Sequence, residues 1–204
     1  DSDNIVDLGA GDDVVVLCTD ATSTDTLLFT GTSIGNNAVF NFDANGGADA
    51  DTLDFTAYLT GESSASGSAA STAAVANSVA VVSATGNTLV GADEIVIIND
   101  FAGTATETWA GMSAADLLAA IEGESNGTDD YANIEDDTLE VAELADLVGS
   151  TQNNIVMVEN DNNDGEYKVF HVESTVGTTD EFESATLLGT IDFGDTITAA
   201  VDIA

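Results

Sequence analysis

The residues of this chain with the clearest chemical use are aspartates and asparagines set among glycines. Leu8 to Val16 reads LGAGDDVVV, and Gly46 to Asp54 reads GGADADTLD. Both fit the nine-residue frame G-G-x-G-x-D-x-U-x, in which U is a large apolar residue. The first copy fits at Gly9, Gly11, Asp13 and Val15. The second fits at Gly46, Gly47, Asp51 and Leu53, with Asp49 where the third glycine would stand. Such a frame suits Ca²⁺: glycine takes tight bends and bares its carbonyls, and aspartate supplies a hard anionic oxygen. Asn4 stands nine residues before Asp13, and each is followed two residues on by an aliphatic, Val6 and Val15. Asn4 and Asp49 are therefore secondary ligand candidates. The alternative reading of both stretches is an ordinary Asp/Gly hairpin turn.

A third candidate is the stretch NDNNDG, in which Asn160, Asn162 and Asp164 alternate and Gly165 follows, as at the start of a calcium hand. The twelfth position is His171, where a bidentate Glu would be required. An acidic hairpin turn is the competing reading.

The inventory for catalysis is thin. Against 38 Asp and Glu stands a single Lys or Arg, Lys168, for a formal net charge of -37, and His171 is the only histidine. No G-x-S-x-G elbow occurs, and one His with one Cys cannot make a structural zinc site. Carboxylate pairs are too plentiful to be informative. These features argue against an enzyme. The charge also excludes an electrostatic footprint for nucleic acid and disfavours anionic membranes. It works against compaction unless cations bind or salt screens it. No 18-residue apolar run that could span a bilayer occurs, and the DSDN start, without a basic end or apolar run, is not expected to act as a signal peptide. Cys18 permits no disulfide within the chain and reads as a small buried hydrophobe.

With 204 residues, 44% of them apolar, the chain can bury a real core. The expected class is mainly β: a short calcium-binding β-roll or sandwich-like strands, with one or two short helices. Residues 1–59 read as a roll remnant of short strands (IVDL, VVVL, TLLF, AVFNF, TLDF). Residues 60–204 read as a β-rich domain. It opens with the small, polar GESSASGSAASTAA and continues with strands at SVAVVSA, EIVIINDF, IVMVE and EYKVFHV. A helix is predicted over 113–122, with Ser113 as cap, Asp116 three residues on, Met112 stapling against Leu117, and Gly123 as stop. A second is expected over 139–148 from Leu139, Leu144, Leu147 and Val148. Trp109 reads as a core anchor. The final TITAAVDIA alternates Ile197, Ala199 and Val201, and is either an exchanged edge strand or the closing strand of the subunit's own sheet.

Taken together, GAGDDVVVL, TLDFTAYL, IVIINDFAG with the SAADLLAAI helix, and IVMVENDNNDGEYKVFHV leading into LLGTIDFGDTI resemble the carboxy-terminal regions of RTX-type proteins exported by type I secretion. Surface-layer proteins and large adhesins are among them. The resemblance implies a roll that folds when Ca²⁺ arrives outside the cell. It also implies an uncleaved export signal, which the acid-then-apolar ending Asp202-Ile203-Ala204 resembles. Only two clear repeats are present, so a long calcium array is not implied. The function expected is an extracellular, calcium-dependent, self-assembling structural subunit of a surface layer, filament or adhesin, with a cell surface or polysaccharide as a further partner. The alternative is the calcium-folding export module of a larger secreted hydrolase or protease.

Overall fold

The computed structural model describes residues 3–19, 22–31, 33–43, 50–59, 78–82, 88–90, 94–99, 108–122, 139–141, 151–175, 182–197 and 202–203. The fold is mainly β, with two large sheets and two short α-helices among these residues.

The first strands are short because glycine, asparagine and aspartate interrupt the apolar runs every few residues. They are β1 (Ile5–Asp7), β2 (Val14–Val16), β3 (Thr26–Leu28), β4 (Gly35–Phe40) and β5 (Thr52–Asp54). They alternate between the sheets. β1, β3 and β5 lie in parallel succession in one, and β2 pairs parallel with β4 in the other. This is a two-faced roll. The nine-residue spacing of Asn4 and Asp13 is thus half a coil, the step from one face to the other. Whole coils are longer than two such steps: Ile5 pairs with Thr26 (26 − 5 = 21 residues), Val14 with Ala38 (24), and Thr26 with Thr52 (26). Alternate residues point inward, so Leu27, Leu53 and Val39 are fully or almost fully buried, with Phe29 stacked on Phe55 at 4.3 Å between centroids. A single helical turn, α1 (Thr56–Leu59), follows β5 and buries Leu59.

The second sheet continues far beyond the roll. Its remaining members are β6 (Ser78–Val82), β8 (Glu94–Ile98), β10 (Thr151–Asn160), β11 (Asn163–Thr175) and β12 (Phe182–Asp192), in the order β2-β4-β12-β11-β10-β8-β6. The first sheet ends in β13 (Asp202–Ile203), which runs parallel to β5. The described end of TITAAVDIA therefore pairs within its own subunit; residues 198–201 and 204 lie outside the described set. A separate parallel pair joins β7 (Thr88–Val90) to β9 (Leu139–Val141). The helix expected from 139 begins instead as this strand. Leu139-Glu140-Val141 satisfies a two-residue period as well as a helical one, and a partner strand that takes its backbone groups decides between them. Residues 142–148 of that expectation lie outside the described set, as do 61–74.

The long sheet is covered on both faces, which explains its near-continuous apolar runs. One face, with Ile95, Ile97, Ile155, Met157, Tyr167 and Val169, packs against the roll. The other, with Val96, Ile98, Val156, Val158, Phe170 and Val172, packs under Trp109, Met112, Leu117 and Ile121. Trp109 opens a 3₁₀ turn (Trp109–Gly111), and α2 follows at Ala114–Glu122. The predicted cap is present in both directions: Ser113 N donates to Asp116 Oδ2 at 2.7 Å, and Asp116 N donates to Ser113 Oγ at 3.3 Å. No helix among the described residues is long and apolar enough to cross a membrane.

Candidate cation corner and the polar ladders

The LGAGD corner connects β1 to β2. Asp7 Oδ1 accepts Gly9 N at 2.9 Å and Thr30 Oγ1 at 3.1 Å. Gly9 and Gly11 have φ of 62° and 122°, where a side chain would be strained, so glycine is what lets the chain reverse here. Asp12 Oδ1 accepts both Asn36 N and Asn36 Nδ2, at 2.9 and 3.1 Å. Asp13 N donates to Asn37 Oδ1 at 3.1 Å, and Asn37 Nδ2 donates onward to Ile34 O at 2.8 Å. Asp13 Oδ2 is buried and has no hydrogen-bond partner. A buried carboxylate oxygen without a donor is costly, and Ca²⁺ or a further N–H would each relieve it.

Asp51, the matching aspartate of the second nonapeptide, is occupied differently. It is 3% exposed, and its two oxygens each accept a backbone N–H: Oδ1 from Asp25 at 2.8 Å and Oδ2 from Asp43 at 2.9 Å. Burial pushes its carboxyl above the ordinary 3.8, against the pull of those two N–H groups, and the nearby Asp25 and Asp43 charges push the same way. Gly46, Gly47 and Asp49 lie outside the described residues.

The nine-residue frame does not mark Asp25, yet this residue ties the chain after β2 to the start of β1. Only 1% exposed, it accepts Asn4 N and Asn4 Nδ2 on Oδ1 at 3.0 and 2.8 Å, and Cys18 N on Oδ2 at 3.2 Å. Asn4, Asp25 and Asp51 thus form a ladder up three coils, each immediately before a strand. Hydrogen bonds from N–H groups to carboxylates are the stronger kind, so the ladder staples coil to coil. The sequence signal was available: Asp25 to Phe29 reads DTLLF and Asp51 to Phe55 reads DTLDF, 26 residues later.

A glycine column starts at the LGAGD corner. A Cβ on Gly35 would overlap the Gly11 carbonyl, and one on Gly189 would overlap the Gly35 carbonyl oxygen and stand 2.8 Å from Ile34 Cγ1. Gly11, Gly35 and Gly189 therefore stack backbone on backbone, carrying the roll into β12.

The NDNNDG stretch is the hairpin between β10 and β11, turning at Asp161-Asn162. Asn160 Oδ1 accepts Asn162 N at 3.0 Å, Asn160 Nδ2 donates to Glu166 Oε2, Asn162 Nδ2 donates to Asp161 Oδ1 at 2.6 Å, and Asp164 is exposed. His171 lies in mid-strand opposite Ile155, with Nε2 3.0 Å from Asn153 Oδ1, and burial lowers its pKa below 6.5 against the opposing Glu173 charge. Below the turn, Glu159 Oε1 accepts Gly165 N at 2.9 Å, Tyr167 OH at 3.2 Å and Thr196 Oγ1, while Ile197 N donates to Tyr167 OH at 2.8 Å. Burial raises the tyrosine's pKa strongly.

Lys168 is buried, at 6% exposure. Its ammonium donates to Ala110 O at 3.0 Å and Met112 O at 2.7 Å, 5.1 Å above the Trp109 ring, whose Nε1 donates to Val158 O at 2.8 Å. Desolvation lowers its pKa, and the Asp116 and Glu166 charges oppose that. The chain's one basic side chain is thus spent on holding the 3₁₀ turn. Among the described residues, no three His, Cys, Asp or Glu side chains converge as a cation site. The LGAGD corner carries three carboxylates, of which Asp7 and Asp12 already accept hydrogen bonds and Asp13 has an oxygen without a donor. No protein-family model matches this chain, and no curated protein or solved structure matches it either.

Proposed function

We propose that the protein is an extracellular structural subunit of the kind found in surface layers, filaments or adhesins, which assembles with itself when Ca²⁺ is present and carries out no catalysis. The observation behind this is the inward placement of Lys168 in a chain of net charge -37. With its single Lys or Arg buried, the acidic surface has no basic side chain to offset it, and the counter-charge must come from dissolved cations. Asp13, with the carbonyls of Gly9 and Gly11, is the set that would hold Ca²⁺ in the roll. Asp51 supports the coil stack through its N–H bonds. The resemblance to RTX-type secreted proteins points the same way.

Electron microscopy of purified material with and without Ca²⁺ tests the reading. Ordered layers or filaments in Ca²⁺ that disperse in chelator are expected. Particles of single-subunit size in both conditions would favour the export-module alternative.

A further inference from the structure

The two sheets share an end. Among the described residues β1 and β2 are the outermost strands of their sheets, and Ile5, Val14 and Val16 on them are 76%, 73% and 69% exposed. Ala38 N donates to Asp13 O, and Leu17 N donates to Phe40 O. Residues 13, 15 and 17 therefore spend their backbone groups on β4. By the alternation of a parallel ladder, Val14 and Val16 turn their N–H and C=O to the open edge. On β1, Thr26 N donates to Asn4 O and Leu8 N to Leu28 O, which leaves Ile5 and Asp7 facing outward in the same way.

The position just before each strand follows one rule: the later coil's side chain accepts the N–H of the earlier coil. Asn4 N goes to Asp25, Asp25 N to Asp51, and Asp13 N to Asn37.

The strand directions say what fits at the open edge of β2. β2, β4, β12, β10, β8 and β6 run one way, since β11 is antiparallel to both its neighbours and every other pairing in the sheet is parallel. The sheet is polar, with β2 at one end and β6 at the other among the described residues. It also has three more strands than the first sheet, so its β6 end reaches roughly 14 Å further along the stack at the usual strand spacing. We infer that β2 of one copy receives the β6 end of a second copy in parallel register, the incoming strand pairing with the outward N–H and C=O groups of Val14 and Val16. Such a head-to-tail contact repeats from copy to copy, into a filament where the rotation between copies does not close a ring. The inference rests on the self-assembly reading and specifies its interface.

The test is sedimentation velocity in Ca²⁺ of the full chain and of Val14→Pro, with Val14→Ala as control. Proline removes an edge N–H and no bond to β4, a place where strands tolerate it. Val14→Pro is expected to remain at single-subunit size while Val14→Ala assembles like the parent. A second measurement needs no variant: amide exchange at Val14 and Val16 in the parent should slow by about tenfold or more on assembly, with Val15 slow throughout. Assembly of Val14→Pro to parental size, or unchanged exchange at Val14 and Val16 in assembled parent, overturns the edge and leaves self-assembly standing. A parent that stays single in every condition overturns both.

Discussion

Replacing Gly189 by alanine isolates the contact that joins the roll to the long sheet. Gly189 has no left-handed φ, so the substitution carries no backbone penalty of that kind. Its cost comes from space alone. The new methyl would overlap the Gly35 carbonyl oxygen and approach Gly35 C to 2.9 Å and Ile34 Cγ1 to 2.8 Å. Two of these neighbours are backbone atoms of β4, so relief requires β4 and β12 to separate along the four residue pairs of their ladder. Overpacking of this sort costs about 1–3 kcal/mol. For a chain of this size that is a fall in Tm of about 2–12 °C. Gly9→Ala is the counterpart, because a methyl there meets nothing within 4 Å and only its φ of 62° is unfavourable. It should cost about 1–2 kcal/mol. Gly35→Ala combines both penalties, with a φ of 71° and a clash with Gly11, and should be the worst of the three. Thermal and urea unfolding of the three variants in one buffer gives the order. A Gly189→Ala protein as stable as the parent would refute the backbone-on-backbone column.

Lys168→Met keeps the alkyl packing but leaves Ala110 O and Met112 O without their donor; it should lose about 1–3 kcal/mol by urea unfolding, the cost of one orphaned buried group at Met112 O, since the Ala110 carbonyl can turn to water. His171 gives a single histidine signal, and its NMR midpoint should lie below 6.5. Since the unfolded chain then binds the proton more readily, the stability His171 contributes is present above 6.5 and is lost as pH falls through and below that value. Asp51 has the opposite sign: its folded pKa is raised above 3.8, so its contribution is full below 3.8 and is lost as pH rises through the folded value. Asp51→Asn should remove that dependence from the pH-stability profile. It should also cost about 1–3 kcal/mol at neutral pH, because one of the Asp25 and Asp43 N–H groups loses its acceptor.

Local chemistry was legible in the sequence wherever neighbours along the chain decide the outcome. The Ser113–Asp116 cap, the strands of the β10–β11 hairpin and the nine-residue step from Asn4 to Asp13 all belong to this kind. What the nine-residue frame did not reveal was the length of a coil. Spacing within a half-turn is fixed by glycine geometry, whereas the loops between half-turns vary, and it is the longer DTLLF/DTLDF repeat that marks the ladder. The parallel pairing of β12 with β4 joins residues 154 apart in the chain, Gly35 with Gly189. No periodicity encodes such a pairing; close backbone approach at two glycines permits it. Residues 139–141 show the same limit, since a distant partner, β7, settles their conformation. Lys168 was legible as the only base but not as a buried clamp, because its partners are carbonyls 56 and 58 residues away.

The most direct test of the proposed function is static light scattering of the parent protein during titration with Ca²⁺ at constant ionic strength, with Na⁺ and Mg²⁺ titrations alongside. Mg²⁺ dehydrates reluctantly and demands a tighter octahedron, so it should substitute poorly at a corner of Asp13 and glycine carbonyls. The account predicts a steep rise in mass with Ca²⁺ that excess chelator reverses and that Mg²⁺ and Na⁺ do not reproduce. A mass that stays at a single 20.7 kDa chain through the Ca²⁺ titration would contradict it.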